Sequence, residues 1–290
     1  MANKEGKKEA PAERKAFKGQ MEILEQAEGT VLTEMGRPVK GLALSGISAG
    51  LDLGFSVLLM TVAMTSFSGV FSGPVVDFIV ANMYPIGFIF VVLGRSELFT
   101  EHTTLAILPV LQGLAPIKKL FRLWGIVYVS NLFGGLIFAL ILTYFAGSLH
   151  VLDSSALEKI ADAMLKHDML TNFLTGMLAG WMMGLLVWLV TAARSTGSQI
   201  LIIWIITASI GFAHLPHCIV GNIEILTSLI SGKISFVEYV QCLVPVTLGN
   251  AIGGVLFVGI VKFSHTNYSG KEKEVDLEKM VEEDKVKDQK

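Results

Sequence analysis

Charge is scarce in this chain. Of its 290 residues only 17% are charged, against roughly 25% in soluble domains, while 52% are hydrophobic. The mean hydropathy is +0.60. Almost all the charge lies at the two ends, in residues 1–40 and 262–290, and the middle is nearly bare. That distribution excludes a soluble domain and predicts an integral membrane protein with two polar tails. Cysteine is as rare: Cys218 and Cys242 both fall inside apolar runs and read as buried thiols, not as a disulfide framework. The first 40 residues are too polar to hold the apolar core of a cleavable signal peptide. A net charge of −2 gives no footing for nucleic acid. No metal-ligand spacing, phosphate loop or nucleophile constellation is visible. The chain therefore reads as a non-enzyme with no cofactor and no metal site.

Long apolar runs are what the chain has. Six appear, at about 40–66, 75–112, 120–147, 170–193, 200–232 and 236–263. Each approaches or exceeds the roughly 20 residues a spanning helix needs. The second and fifth are too long for one straight helix. The second is interrupted at Gly94-Arg95-Ser96-Glu97-Leu98-Phe99-Thr100, the fifth near Pro216, since proline disfavours helix before it and donates no hydrogen bond. Irregular backbone at membrane depth survives only where protein buries it or water meets it, so matched breaks in two halves point to a permeation site. Basic residues set the orientation: Arg37, Lys40, Lys118, Lys119, Arg122, Arg194 and Lys262 fall on one side of a six-span topology, with both termini cytoplasmic. Phe17, Met21, Leu24 and Val31 recur at helical spacing, which predicts an amphipathic helix on the cytoplasmic surface within residues 1–39. Residues 40–265 form the transmembrane domain, and the charged tail is 266–290.

Two near-copies of one motif organise the transmembrane part. Ser130-Asn131-Leu132-Phe133-Gly134-Gly135 and Gly249-Asn250-Ala251-Ile252-Gly253-Gly254 lie 119 residues apart. The chain thus has two related halves, and three spans per half makes them inverted repeats. Thirty-three residues before each asparagine stand Leu98 and His217. An ionisable imidazole in one half is matched by an apolar side chain in the other. Membrane-depth ionisable groups mark function. His214, three residues earlier, is the rival histidine.

Gly94-Arg95-Ser96-Glu97-Leu98-Phe99-Thr100-Glu101, Val187-Trp188, His217-Cys218-Ile219-Val220 and above all Leu243-Val244-Pro245-Val246-Thr247-Leu248-Gly249-Asn250-Ala251-Ile252-Gly253-Gly254 resemble the formate/nitrite transporter family over about residues 35–265. The chain departs from better-known members at Glu101-His102, at Gly180 and Gly184, at Gly221-Asn222 and at the charged Arg95, and reads as a divergent branch. The resemblance implies an aquaporin-like fold, a homopentamer with one pore per protomer, and small monovalent anions of weak acids as substrates. The absence of organelle signals and the cytoplasmic termini fit a bacterial inner membrane. It pairs Asn250 with His217, makes Leu98 and Phe99 a narrowing beside the Thr100 donor, and lines apolar constrictions with Tyr84, Phe88 and Ile210. Lys166 is the nearest match to the family lysine that attracts anions.

An imidazole of ordinary pKa near 6.5 at mid-membrane can lend a proton or a hydrogen bond to an anion that has lost its water. Asn131 reads as a brace for the other break. Arg95, Glu97, Glu101 and His102 cluster at the first break, where the expected state pairs Arg95 with Glu97 or Glu101 as a lock or pH-sensitive gate. The alternative to an anion channel is a neutral-solute pore, although the paired Asn-Pro-Ala motifs of aquaporins are absent.

Overall fold

The computed structural model describes residues 18–146 and 148–266. Phe17 and the charged tail from Tyr268 lie outside them. The described residues are helical throughout, apart from turns and one isolated bridge between Ser68 and Phe71.

Helix α1 spans Gln20–Gly36. Its buried face is Ile23, Leu24, Ala27, Val31 and Met35, while Met21 points outward at 42% exposure. The stripe is therefore Leu24 and Val31 with three other residues, and it packs on the rest of the protein. Arg122 donates to the carbonyls of Met35 and Arg37 and holds the end of this helix.

The first apolar run is α2, Val39–Phe67. The second is divided into α3 (Gly73–Met83), α4 (Pro85–Gly94), α5 (Phe99–Leu105) and α6 (Ile107–Leu111). Pro85 interrupts the hydrogen-bond ladder between α3 and α4. Ser56 on α2 covers the gap, donating to the Tyr84 carbonyl at 2.6 Å and accepting from Gly87 N at 3.0 Å. The third run is α7, Ile117–Phe145. Next comes α8, Ser154–Leu165, an amphipathic helix capped by Asp153. This helix falls between the third and fourth apolar runs. The buried side of α8 (Ala156, Leu157, Ile160, Ala161, Met164) is short and interleaved with acids, so it made no apolar run.

The fourth run is α9, Met169–Ala192. Asp168 caps it, accepting from Thr171 N at 2.7 Å, and that hydrogen bond holds the Asp168 carboxyl below its ordinary value. The fifth run is divided between α10, Thr196–Phe212, and α11, Cys218–Ile230. The sixth is α12, Phe236–Gly254, opened by a capping box of Ser235 and Glu238 and continued by a π-helical turn over Val255–Ile260. Five stretches are long and apolar enough to cross a membrane: 39–67, 73–94, 117–145, 169–192 and 236–266. The fifth apolar run of the sequence supplies only two shorter apolar helices.

Small residues decide which helices touch. A Cβ on Gly50 would collide with the Asn131 carbonyl and the Gly135 backbone, so α2 lies directly against α7. A Cβ on Gly180 would meet the Asn250 backbone, so α9 lies directly against α12. The two asparagines are thereby carried into the centre, each fully buried. Cys218 and Cys242 are both buried free thiols.

Candidate functional site

The chain passes from α4 to α5 and from α10 to α11 by the same geometry. Each preceding helix ends on a residue in the left-handed region, Arg95 at φ 58° and His214 at φ 50°. Such a conformation costs a non-glycine residue about 1–3 kcal/mol and persists where the surroundings impose it. Ser96 N then reaches back to the Val91 carbonyl at 3.1 Å, and Leu215 N to the Ile210 carbonyl at 3.0 Å. The chain straightens at Leu98 (φ −113°, ψ 129°) and at His217 (φ −104°, ψ 124°). A new helix begins immediately after each.

One asparagine braces each restart. Asn131 Oδ1 accepts from Phe99 N at 2.9 Å, and Asn131 Nδ2 donates to the carbonyls of Gly46 (2.8 Å) and Glu97 (2.9 Å). Asn250 Oδ1 accepts from Cys218 N at 2.8 Å, and its Nδ2 donates to the carbonyls of Gly176 (2.8 Å) and Pro216 (3.0 Å). Each amide satisfies two backbone groups at the break and ties them to a carbonyl of a neighbouring unbroken helix, α2 or α9. Asn250 does not touch the His217 side chain among its hydrogen bonds. It fixes the backbone on either side of it.

His217 is 1% exposed and bridges the two restarts, with Nε2 2.8 Å from Thr100 Oγ1. Its Nδ1 accepts from Val220 N at 3.3 Å. That acceptor role assigns the ring proton to Nε2, so the imidazole donates to the threonine hydroxyl. The hydroxyl proton of Thr100 is then free to serve another acceptor. The edge-on ring of Phe88 packs against His217 at 5.1 Å, and Tyr84 stacks on Phe88 at 5.2 Å. Leu98 is completely buried. Phe99 turns away, packing on Tyr128 at 4.7 Å and Trp124 at 6.2 Å.

Two cavities approach this point. The first, about 80 Å³, has His217 in its wall, together with Tyr84, Ile210, His214, Lys159 and Glu224. The second, about 120 Å³, is lined by Glu34, Arg95, Glu97, Glu101, His102 and Val92, among others. Thr100, Leu98 and Phe88 line neither, so they sit in the closed zone. His214 is exposed at the rim of the first cavity. It also borders a wider opening that holds Asp77, Lys159 and Lys166. Lys166 stays in that wider opening, whereas Lys159 reaches the first cavity too.

The charges at the first break differ from the expected pairing. Glu97 pairs with Arg37 and with His102, whose Nε2 lies 2.5 Å from Glu97 Oε2. Arg95 joins no ion pair among the described residues. Its left-handed backbone ends α4 and leaves it exposed, while Glu97 turns inward to meet the start of α2 through Ser45 Oγ at 3.1 Å. Glu101 has a buried Oε1 without a partner. Glu34 on α1 faces this group, and burial raises its carboxyl to about 7, with His102 opposing the shift. Asp52 lies 3.4 Å from the hydroxyls of both Ser48 and Ser96.

Sequence reasoning missed Glu34 and Glu224 at these cavities, and Arg37 as the partner of Glu97. An acid seven residues beyond His217 in an apolar run was the available signal for Glu224. Glu34 and Arg37 gave none, since polar flanks are ordinary beside a first span.

The family model described as "Formate/nitrite transporter" matches residues 21–264. The chain is 30% identical over 232 residues to the inner membrane protein YfdC of Escherichia coli (strain K12), covering 79% of this chain and 73% of that protein. It is 24% identical over 262 residues to the formate channel FocA of Haemophilus influenzae (strain ATCC 51907 / DSM 11121 / KW20 / Rd), covering 83% and 92%. The solved structure of a pentameric formate channel with formate bound superposes with a TM-score of 0.66 at 26% identity, covering 77% of this chain and 95% of that one.

Proposed function

This chain belongs to the formate/nitrite transporter family, and on that premise we propose that it conducts small monovalent anions of weak acids, formate or nitrite among them, past Thr100 and His217. It is a membrane transport protein and not an enzyme. The observation that carries the proposal is the 2.8 Å contact between Thr100 and His217, set between two cavities at the meeting of two helix starts. An anion there has shed its water and needs donors. The free Thr100 hydroxyl proton supplies one. The His217 ring behind it polarises that hydroxyl, and the starts of α5 and α11 add partial positive charge.

The hydrogen-bond pattern also sets the terms of proton transfer. A neutral ring whose Nδ1 serves Val220 N donates a hydrogen bond but holds its proton. Full transfer begins when Nδ1 takes a second proton from water in the first cavity, in whose wall His217 stands, and releases Val220 N. The imidazolium then passes its Nε2 proton to Thr100 Oγ1 while the Thr100 hydroxyl proton moves to the anion. The products are a ring neutral in the Nδ1–H form, an unchanged threonine and a neutral acid, which crosses the apolar zone of Phe88 and Leu98 at lower cost; the ring resets by taking a proton at Nε2 and losing the one at Nδ1 to water.

The supporting architecture is six spans in two inverted three-helix halves, aquaporin-like, with the second and fifth broken. Supporting it are the paired left-handed residues Arg95 and His214 and the matching braces of Asn131 and Asn250, all 119 residues apart. The basic flanks favour both termini in the cytoplasm of a bacterial inner membrane. Residues 1–39 and 266–290 are then cytoplasmic flanks of a transmembrane domain over 40–265. Exposed apolar residues such as Phe121, Val129 and Phe133 on α7 call for lipid or for neighbouring protomers of a pentamer, each with its own pore. The first cavity then opens outward, where Lys159 and Lys166 attract anions.

Proteoliposome uptake of labelled formate, nitrite, acetate and glycerol tests this reading. Saturable uptake of the anions, faster at lower pH and without glycerol passage, is the expected result. Glycerol passage with no anion flux makes the chain a neutral-solute pore instead.

A further inference from the structure

Glu34, Glu97 and His102 reach the second cavity from three separate parts of the chain: the end of α1, the α4–α5 connection and α5 itself. One donor atom from each lies within 4.8 Å of the other two. His102 is 3% exposed, and its Nδ1 has no hydrogen-bond partner. That nitrogen lies 3.4 Å from Glu34 Oε2, near enough for attraction yet out of line for a hydrogen bond. The other ring nitrogen is committed, with Nε2 2.5 Å from Glu97 Oε2. The second oxygen of Glu97 is held by Arg37. On the same wall, Glu101 presents a buried Oε1 that is also without a partner.

We propose that this group binds a divalent transition-metal cation of the zinc class, with His102 Nδ1 and Glu34 as direct ligands and Glu97 as the carboxylate behind the histidine. A tetrahedral ion with bonds of about 2.0–2.1 Å separates neighbouring ligand atoms by about 3.4 Å, which is the spacing between Nδ1 and Glu34 Oε2. A metal-binding histidine usually gives its other N–H to a carboxylate, which fixes the tautomer and leaves the free lone pair aimed at the ion. Glu97 holds Nε2 in that manner, and Arg37 anchors Glu97 in turn. Water completes the coordination. The mixed nitrogen and oxygen set suits zinc and its neighbours, not magnesium or calcium, which prefer oxygen alone. The lining also suits a cation: Glu34, Glu97 and Glu101 bring three carboxyl groups to this wall, with Arg95 exposed at its edge and Arg37 engaged with Glu97.

Such an ion ties α1 to α5, two residues beyond Thr100. It stiffens the wall of the second cavity and slows passage through it. The binding itself does not depend on which solute the protein carries.

The test is zinc titration by calorimetry of the full chain in detergent, with magnesium as the control ion. The wild type is expected to take up one zinc per protomer and no magnesium, with slower backbone hydrogen exchange over residues 30–36 in zinc. Glu34→Gln is expected to weaken zinc binding at least tenfold. It is the deciding variant, because it removes one ligand and leaves the Arg37–Glu97–His102 chain intact. His102→Gln should abolish binding wherever it folds. Absence of saturable zinc uptake by the wild type overturns the proposal. So does uptake that Glu34→Gln leaves unchanged, which assigns the ion to surface histidines.

Discussion

Thr100 Oγ1 lies 2.8 Å from His217 Nε2, joining two helix starts that are 117 residues apart in the chain. Neither partner is free to drift. Thr100 sits in the first turn of α5, whose leading N–H is held by Asn131, and His217 caps α11, whose leading N–H is held by Asn250. The contact is therefore fixed by backbone, and perturbing it perturbs a polar point between the two cavities.

His217→Ala is expected to cut weak-acid anion flux in proteoliposomes at least tenfold, about 1.4 kcal/mol on the barrier. It should also flatten the dependence of flux on pH between about 5 and 8. His214→Ala, at the exposed rim, should change flux less than threefold and keep the wild-type profile. The reverse ranking would move the central role to His214. Wild-type profiles in both variants would end the proton-transfer reading.

Asn250→Ala strips one acceptor and two donors from buried backbone groups at once. Its cost is expected to be about 2–4 kcal/mol, since each orphaned buried group costs about 1–3 kcal/mol before relaxation. Asn131→Ala should cost as much, because its three partners are equivalent. Thermal unfolding in detergent is the measurement. A melting temperature within a degree of wild type for either variant would show that the brace is dispensable.

Gly180→Val should break the α9–α12 contact, because its Cβ meets the Asn250 backbone and no flexible side chain is there to yield. Gly125→Val, where a Cβ meets nothing within 4 Å, is the matched control. Size-exclusion profiles in detergent should show aggregation or loss of the first variant only. Equal behaviour of the two would mean that helix separation here is adjustable.

A pentamer should survive native mass spectrometry in mild detergent. Monomers and dimers alone, across several detergents, would count against the assembly and leave the exposed faces of α7 to lipid.

The amino-acid sequence alone determined the membrane class and the apolar runs, because hydropathy acts locally, and the copied asparagine motif and the interruptions near Arg95 and Pro216 are readable without coordinates. The left-handed turns at Arg95 and His214 are legible only as matched positions, since nothing in either side chain demands that conformation. What tertiary structure decided is partnership between distant polar groups. Arg95 looked like the natural mate of Glu97 two residues on, yet Arg37 and His102 take that carboxylate, 60 and five positions away in the chain. Glu34 enters the same cavity from a helix that the sequence shows only as an amphipathic stripe. Phe99 packs on Trp124 and Tyr128, contacts that the sequence does not show. Side chains choose partners by where the backbone delivers them, and that delivery is set by close packing of α2 on α7 and α9 on α12 through residues with no side chain at all.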